Sequence, residues 1–74
     1  MLMSAYATIY LRIDEGKYKT NEGIFTFRND LKEVYGLQAN PKFDLLFSIS
    51  WEQGHAHGLT DVLGVFNDLV ELVR

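Results

Sequence analysis

The sequence predicts an α+β fold, a two-layer sandwich in the order β-β-α-β-α. Two segments alternate apolar and polar residues with a period of two, and the C-terminal stretch is cleanly amphipathic at helical spacing. The expected sheet has three strands, mainly antiparallel. The C-terminal helix covers one of its faces, and the other faces solvent.

In residues 5–13 the odd positions Ala5, Ala7, Ile9, Leu11 and Ile13 are apolar, whereas Tyr6, Thr8, Tyr10 and Arg12 alternate with them. That is the pattern of a half-buried strand. Asp14-Glu15-Gly16 supplies a turn, with Gly16 able to take a positive φ. A second extended stretch is expected from Lys17 or Tyr18 to Arg28, interrupted at Asn21-Glu22-Gly23, with Ile24–Arg28 its better half. Asn29-Asp30 then starts a short helix. Asp30 and Glu33 have capping-box spacing, Leu31, Val34 and Tyr35 share a face, and Gly36 stands just past the end. Asn40-Pro41 marks a loop.

Residues 43–51 show the strongest alternation, with Phe43, Leu45, Phe47, Ile49 and Trp51 on one side. After the loop 52–58, a helix is expected from about Thr60 to Val73. Its apolar half carries Val62, Leu63, Val65, Phe66, Leu69, Val70, Leu72 and Val73, and its polar half Asp61, Gly64, Asn67, Asp68, Glu71 and Arg74. The expected core is Ile9, Leu11, Ile13, Phe25 or Ile24, Phe27, Leu45, Phe47, Ile49, Val62, Phe66, Leu69 and Val73.

Composition narrows the functions available. The 74 residues allow one domain, and 47% hydrophobic and 23% charged residues are ordinary for a globular chain. There is no cysteine, hence no disulfide and no thiolate chemistry. No signal peptide and no stretch of membrane-spanning length is visible, so a cytoplasmic protein is expected. The net charge is −3. Residues 1–37 are balanced with five bases and five acids, whereas residues 38–74 hold two bases and five acids. Such a surface repels phosphate backbones, so neither nucleic acid nor membrane is an expected partner.

Chemistry is thinly represented. His55 and His57, with Glu52 nearby, could offer two zinc ligands and a third, but a structural site takes four. The expectation is no metal, no cofactor and no catalytic residue; the stretch reads as a flexible strand-to-helix loop, with the alternative that one histidine fixes it by hydrogen-bonding the loop's backbone. Ser48, Ser50, Asp44 and the histidines include hydrolase residue types without a nucleophile elbow or a phosphate loop. The open sheet face would carry Tyr6, Tyr10 and Arg12, residue types that dominate interface energetics. Asp68 and Glu71 on the helix's outer face would complement a basic partner. These five are the expected partner-binding residues. Gly64 is costly in mid-helix, and is there either as tolerated drift or because something packs closely against the helix backbone at that point.

The stretch Ser50-Trp51-Glu52-Gln53-Gly54-His55, followed by Gly58, Val62, Phe66 and Asp68–Leu72, resembles small accessory proteins of bacteriophages and other mobile elements. That resemblance covers roughly the last 25 residues. It implies a stoichiometric inhibitor or adaptor that binds and blocks a host protein, such as a CRISPR effector or another defence nuclease. It assigns no residue a role. The expected function is therefore a non-enzymatic protein-binding module of the anti-CRISPR or other anti-defence type. The alternatives are a self-assembling homodimeric domain and a small metal-dependent enzyme.

Overall fold

The computed structural model describes the backbone of residues 2–73 and side chains from Ala7 to Val73. It corrects the expected fold class: the described residues form four α-helices and no strand, an all-α architecture. The helices are α1 (Leu2–Asp14), α2 (Asn21–Val34), α3 (Phe43–Gly54) and α4 (Leu59–Val73), with one 3₁₀ turn at His55–His57 between the last two. The chain divides into two compact units, Met1–Asn40 and Pro41–Arg74, each built around a helical pair.

The N-terminal unit is set by its helix ends. At the end of α1 the Lys17 N–H donates to the Arg12 carbonyl and the Gly16 N–H to that of Ile13, both at 3.0 Å, with Gly16 at φ +72°. The same pattern closes α2: Leu37 donates to Lys32 at 2.8 Å and Gly36 to Glu33 at 3.2 Å, with Gly36 at φ +67°. Both are Schellman closures, which need a left-handed residue that glycine supplies without a Cβ clash. Gly16 thus ends a helix and does not turn a hairpin of strands. α2 begins at Thr20, whose hydroxyl accepts from the Gly23 N–H at 2.9 Å. The expected start at Asn29-Asp30 therefore lies inside α2, and the expected strand 24–28 is helical. Gly23 is no bulge either. A Cβ there would stand 2.6 Å from the Tyr18 backbone, so only glycine lets the connecting loop lie this close to α2.

In the C-terminal unit, α3 buries Phe43, Leu46, Ser50 and Gly54, a stripe at i, i+3, i+7 and i+11. The buried Ser50 hydroxyl is satisfied by donating to the Leu46 carbonyl at 2.8 Å. α4 answers with Val62, Leu63, Phe66 and Val70, and the Phe43 and Phe66 rings meet edge-on at 5.5 Å. At the turn between the helices, a Cβ on Gly54 would stand 2.7 Å from the Val62 nitrogen. α4 matches the expected C-terminal helix to within a residue at its start.

The expected core is corrected with the fold. Ile9, Phe27, Val62 and Phe66 are buried, but Leu11, Phe25, Leu45 and Val73 are exposed. Tyr18, Leu31, Phe43, Leu46, Leu63 and Val70 take core places instead. A strand buries alternate residues, whereas a helix buries i, i+3 and i+4, so Leu11, Phe25 and Leu45, placed inward by a strand's period, turn outward on helices. No helix among the described residues is long and apolar enough to cross a membrane.

Candidate functional site

The open sheet face that was to gather Tyr6, Tyr10 and Arg12 does not exist, because these residues lie on α1. Positions 10 and 12 are about 200° apart around a helix and belong to different faces. Tyr10 is 38% exposed. Tyr6 stands one turn earlier, and its side chain lies outside the described residues.

Arg12 belongs to a polar clamp. Its guanidinium donates to Asp30 Oδ2 at 2.9 Å, and the Tyr18 hydroxyl donates to the same oxygen at 2.7 Å. One carboxylate oxygen on α2 thus joins α1 to the connecting loop. Tyr18 is buried, and its ring packs on Phe27 with centroids 5.1 Å apart. Burial, then the hydrogen bond to Asp30 and its charge, push the Tyr18 phenol up to about 12. Arg12 is held above its ordinary value by Tyr18 and by the charge of Asp30. The clamp is structural chemistry: its carboxylate is committed to two donors. Sequence spacing had cast Asp30 as a helix cap, and nothing local indicates that its partners lie 12 and 18 positions away.

The outer face of α1 carries a different feature. Ala7, Tyr10, Leu11 and Asp14 lie at i, i+3, i+4 and i+7 and are all exposed, whereas Ile9 on the opposite side is fully buried. Leu11 is 56% exposed. Three of the four positions on this outward face are apolar, the reverse of what a solvated helix face carries. The alternation that suggested a strand hid this stripe.

On α4, Asp68 and Glu71 are exposed on the outer face, as expected for that helix, together with Asp61. Leu72 is 81% exposed on the same side. Gly64 sits among them with nothing within 4 Å of the position a Cβ would take, and its φ is not positive. It costs about 1 kcal/mol of helix stability relative to alanine, and neither backbone geometry nor packing within the chain requires it.

The histidines stand on the 3₁₀ turn. His55 Nδ1–H donates to the Trp51 carbonyl at 2.7 Å and the imidazole stacks on the Trp51 ring at 5.3 Å, which secures the C-terminal end of α3. It closes a run of stacked rings, Phe43–Phe47–Trp51–His55, with centroid spacings of 5.9, 6.1 and 5.3 Å. The acceptor of that hydrogen bond belongs to α3 and not to the loop whose backbone the alternative reading had one histidine bind. Among the described residues no group of three or more His, Cys, Asp or Glu side chains is placed to hold a metal ion.

The chain belongs to a family of unknown function, DUF8546, whose model matches residues 17–74 and begins beyond α1. No curated protein and no solved structure matches it.

Proposed function

We propose that this member of the family is a non-enzymatic protein-binding module, acting in the cytoplasm, whose outward α1 stripe docks against an apolar surface of another protein. The observation that carries the reading is the exposure of Ala7, Tyr10 and Leu11 on one helix face while Ile9 alone turns inward over that turn. Exposed apolar positions at i, i+3 and i+4 are how an amphipathic helix enters a partner's groove. Tyrosine there adds contact area with few rotamers to freeze. The absence of cysteine suits a reducing compartment. In its sharper form, drawn from the resemblance to phage accessory proteins, the module is a stoichiometric inhibitor that occludes a host defence protein.

The test is affinity capture with the tagged chain, wild type beside Leu11→Glu and Tyr10→Glu, with bound species quantified by mass spectrometry. Wild type should retain one partner near 1:1, and both variants should lose it while keeping their thermal unfolding midpoints. A folded variant that keeps the partner would remove α1 as the docking face.

A further inference from the structure

Within the N-terminal unit, α1 is seated more lightly than α2. Over residues 7–14, Ile9 is the one fully buried side chain; Arg12 and Ile13 are half-buried and the other five are exposed. α2 buries Gly23, Phe27 and Leu31. Removal of apolar surface from water is the main force that seats a helix, and α1 supplies little of it over these two turns. The Arg12–Asp30 ion pair adds only a light hold, because the Arg12 side chain is 43% exposed and water competes for it.

Tyr18, by contrast, is fixed to α2 without help from α1. Its ring packs on Phe27, its hydroxyl donates to Asp30, and its backbone lies against Gly23. Between α1 and this anchor stand Glu15, Gly16 and Lys17. Glu15 and Lys17 are exposed, and Gly16, at φ +72°, moves between left- and right-handed backbone without a Cβ penalty. The shared carboxylate lets the two sides part without an orphan. When Arg12 leaves, its guanidinium enters water and Asp30 Oδ2 keeps the Tyr18 hydroxyl. The family's model also starts at Lys17, at the edge of the anchored segment.

We propose that α1 is a strap that opens as one unit about Glu15–Lys17 while Tyr18 and α2 stay in place, with Arg12 as its latch. A detached helix of 13 residues is marginal in water, so the opened strap also unwinds. Opening bares Ile9 beside Tyr10 and Leu11, which face solvent already. The closed form thus shows a partner one side of α1, and the open form offers both. The inference does not rest on the docking role of α1, since opening needs no partner.

Native-state amide hydrogen exchange of the full chain, over urea concentrations below the unfolding transition, tests this. In wild type, amides 9–14 should report one common opening, at least about tenfold more frequent than that of the slowest α2 amides. Its urea dependence should be shallower, because opening a strap exposes less surface than unfolding the unit. Arg12→Gln releases the latch and should speed exchange over 9–14 several-fold. Thr20→Ala removes the cap of α2, which is equally present in the closed and open forms. It should speed the α2 amides about fivefold and leave 9–14 unchanged. Neither substitution touches a buried side chain, and circular dichroism confirms that both variants fold. Four results would each overturn the proposal. One is α1 and α2 exchanging together with the same urea slope. Another is protection that climbs steadily from residue 9 to residue 14, the mark of fraying from the helix end. The others are Thr20→Ala speeding 9–14 as much as α2, and Arg12→Gln leaving 9–14 unmoved.

Discussion

The two helical hairpins solve one problem with different chemistry. Each brings backbone against backbone at a glycine, Gly23 beneath Tyr18 and Gly54 beneath Val62. Beyond that they diverge. The C-terminal hairpin is held by apolar side chains, with Phe43 against Phe66 and a buried row of Val62, Leu63 and Val70. The N-terminal hairpin turns Leu11 and Phe25 outward and fastens α1, the loop and α2 through one carboxylate oxygen of Asp30. Both hairpins leave large apolar residues exposed, Leu11 and Phe25 in the first and Leu45 and Leu72 in the second, so what sets them apart is the polar clamp and not the display of apolar residues.

The contrast can be broken most forcefully at Phe66. Phe66→Ala removes a fully buried ring and should destabilise by about 3–5 kcal/mol. For a chain of this size that leaves the C-terminal hairpin largely unfolded at 25 °C by circular dichroism. Next come the two glycines. Gly23→Ala and Gly54→Ala each press a methyl group against backbone at 2.6–2.7 Å, and each should cost about 2–3 kcal/mol in urea unfolding. Equal losses would confirm that the two hairpins share this device.

The clamp distinguishes them. The Tyr18 phenol titrates near 12 in the native state and near its ordinary value of about 10 when unfolded. Between these values the unfolded chain has lost a proton that the native chain keeps. Raising the pH therefore favours unfolding, and the contribution is intact below about pH 10. Stability should fall by about 2 kcal/mol from about pH 9 to about pH 12, and Tyr18→Phe should remove that part of the slope. The smallest effect is a gain: Gly64→Ala meets open space and should stabilise the chain by up to about 1 kcal/mol in thermal unfolding.

These residues also show what the sequence carried. The C-terminal helix was legible because its polar and apolar halves separate at only one period. Gly36 was legible as a helix end because glycine just beyond an apolar run has one common use. Residues 43–51 were not, because they satisfy both periods. Phe43, Phe47 and Trp51 suit either reading, and Leu45 and Ile49 tip the alternation toward a strand even though Leu45 ends up 62% exposed. The same ambiguity placed 5–13 in a sheet. The available corrective was local: Thr20 with the Gly23 N–H three residues on begins a helix, and Gly16 and Gly36 end two. Of the expected binding residues, Tyr10, Asp68 and Glu71 are surface-exposed, whereas Arg12 serves Asp30. The clamp itself was out of reach, since its members meet only once the hairpin closes.

Residue-resolved amide hydrogen exchange of wild type and Tyr18→Phe tests the clamp account most directly. Losing the hydroxyl removes one charge-assisted hydrogen bond and exposes Asp30 to a poorer partner, worth about 1–2 kcal/mol. Protection of the α1 and α2 amides should fall about tenfold, clearly more than that of α3 and α4. Unchanged protection in α1 and α2, or an equal fall in both hairpins, would contradict the account.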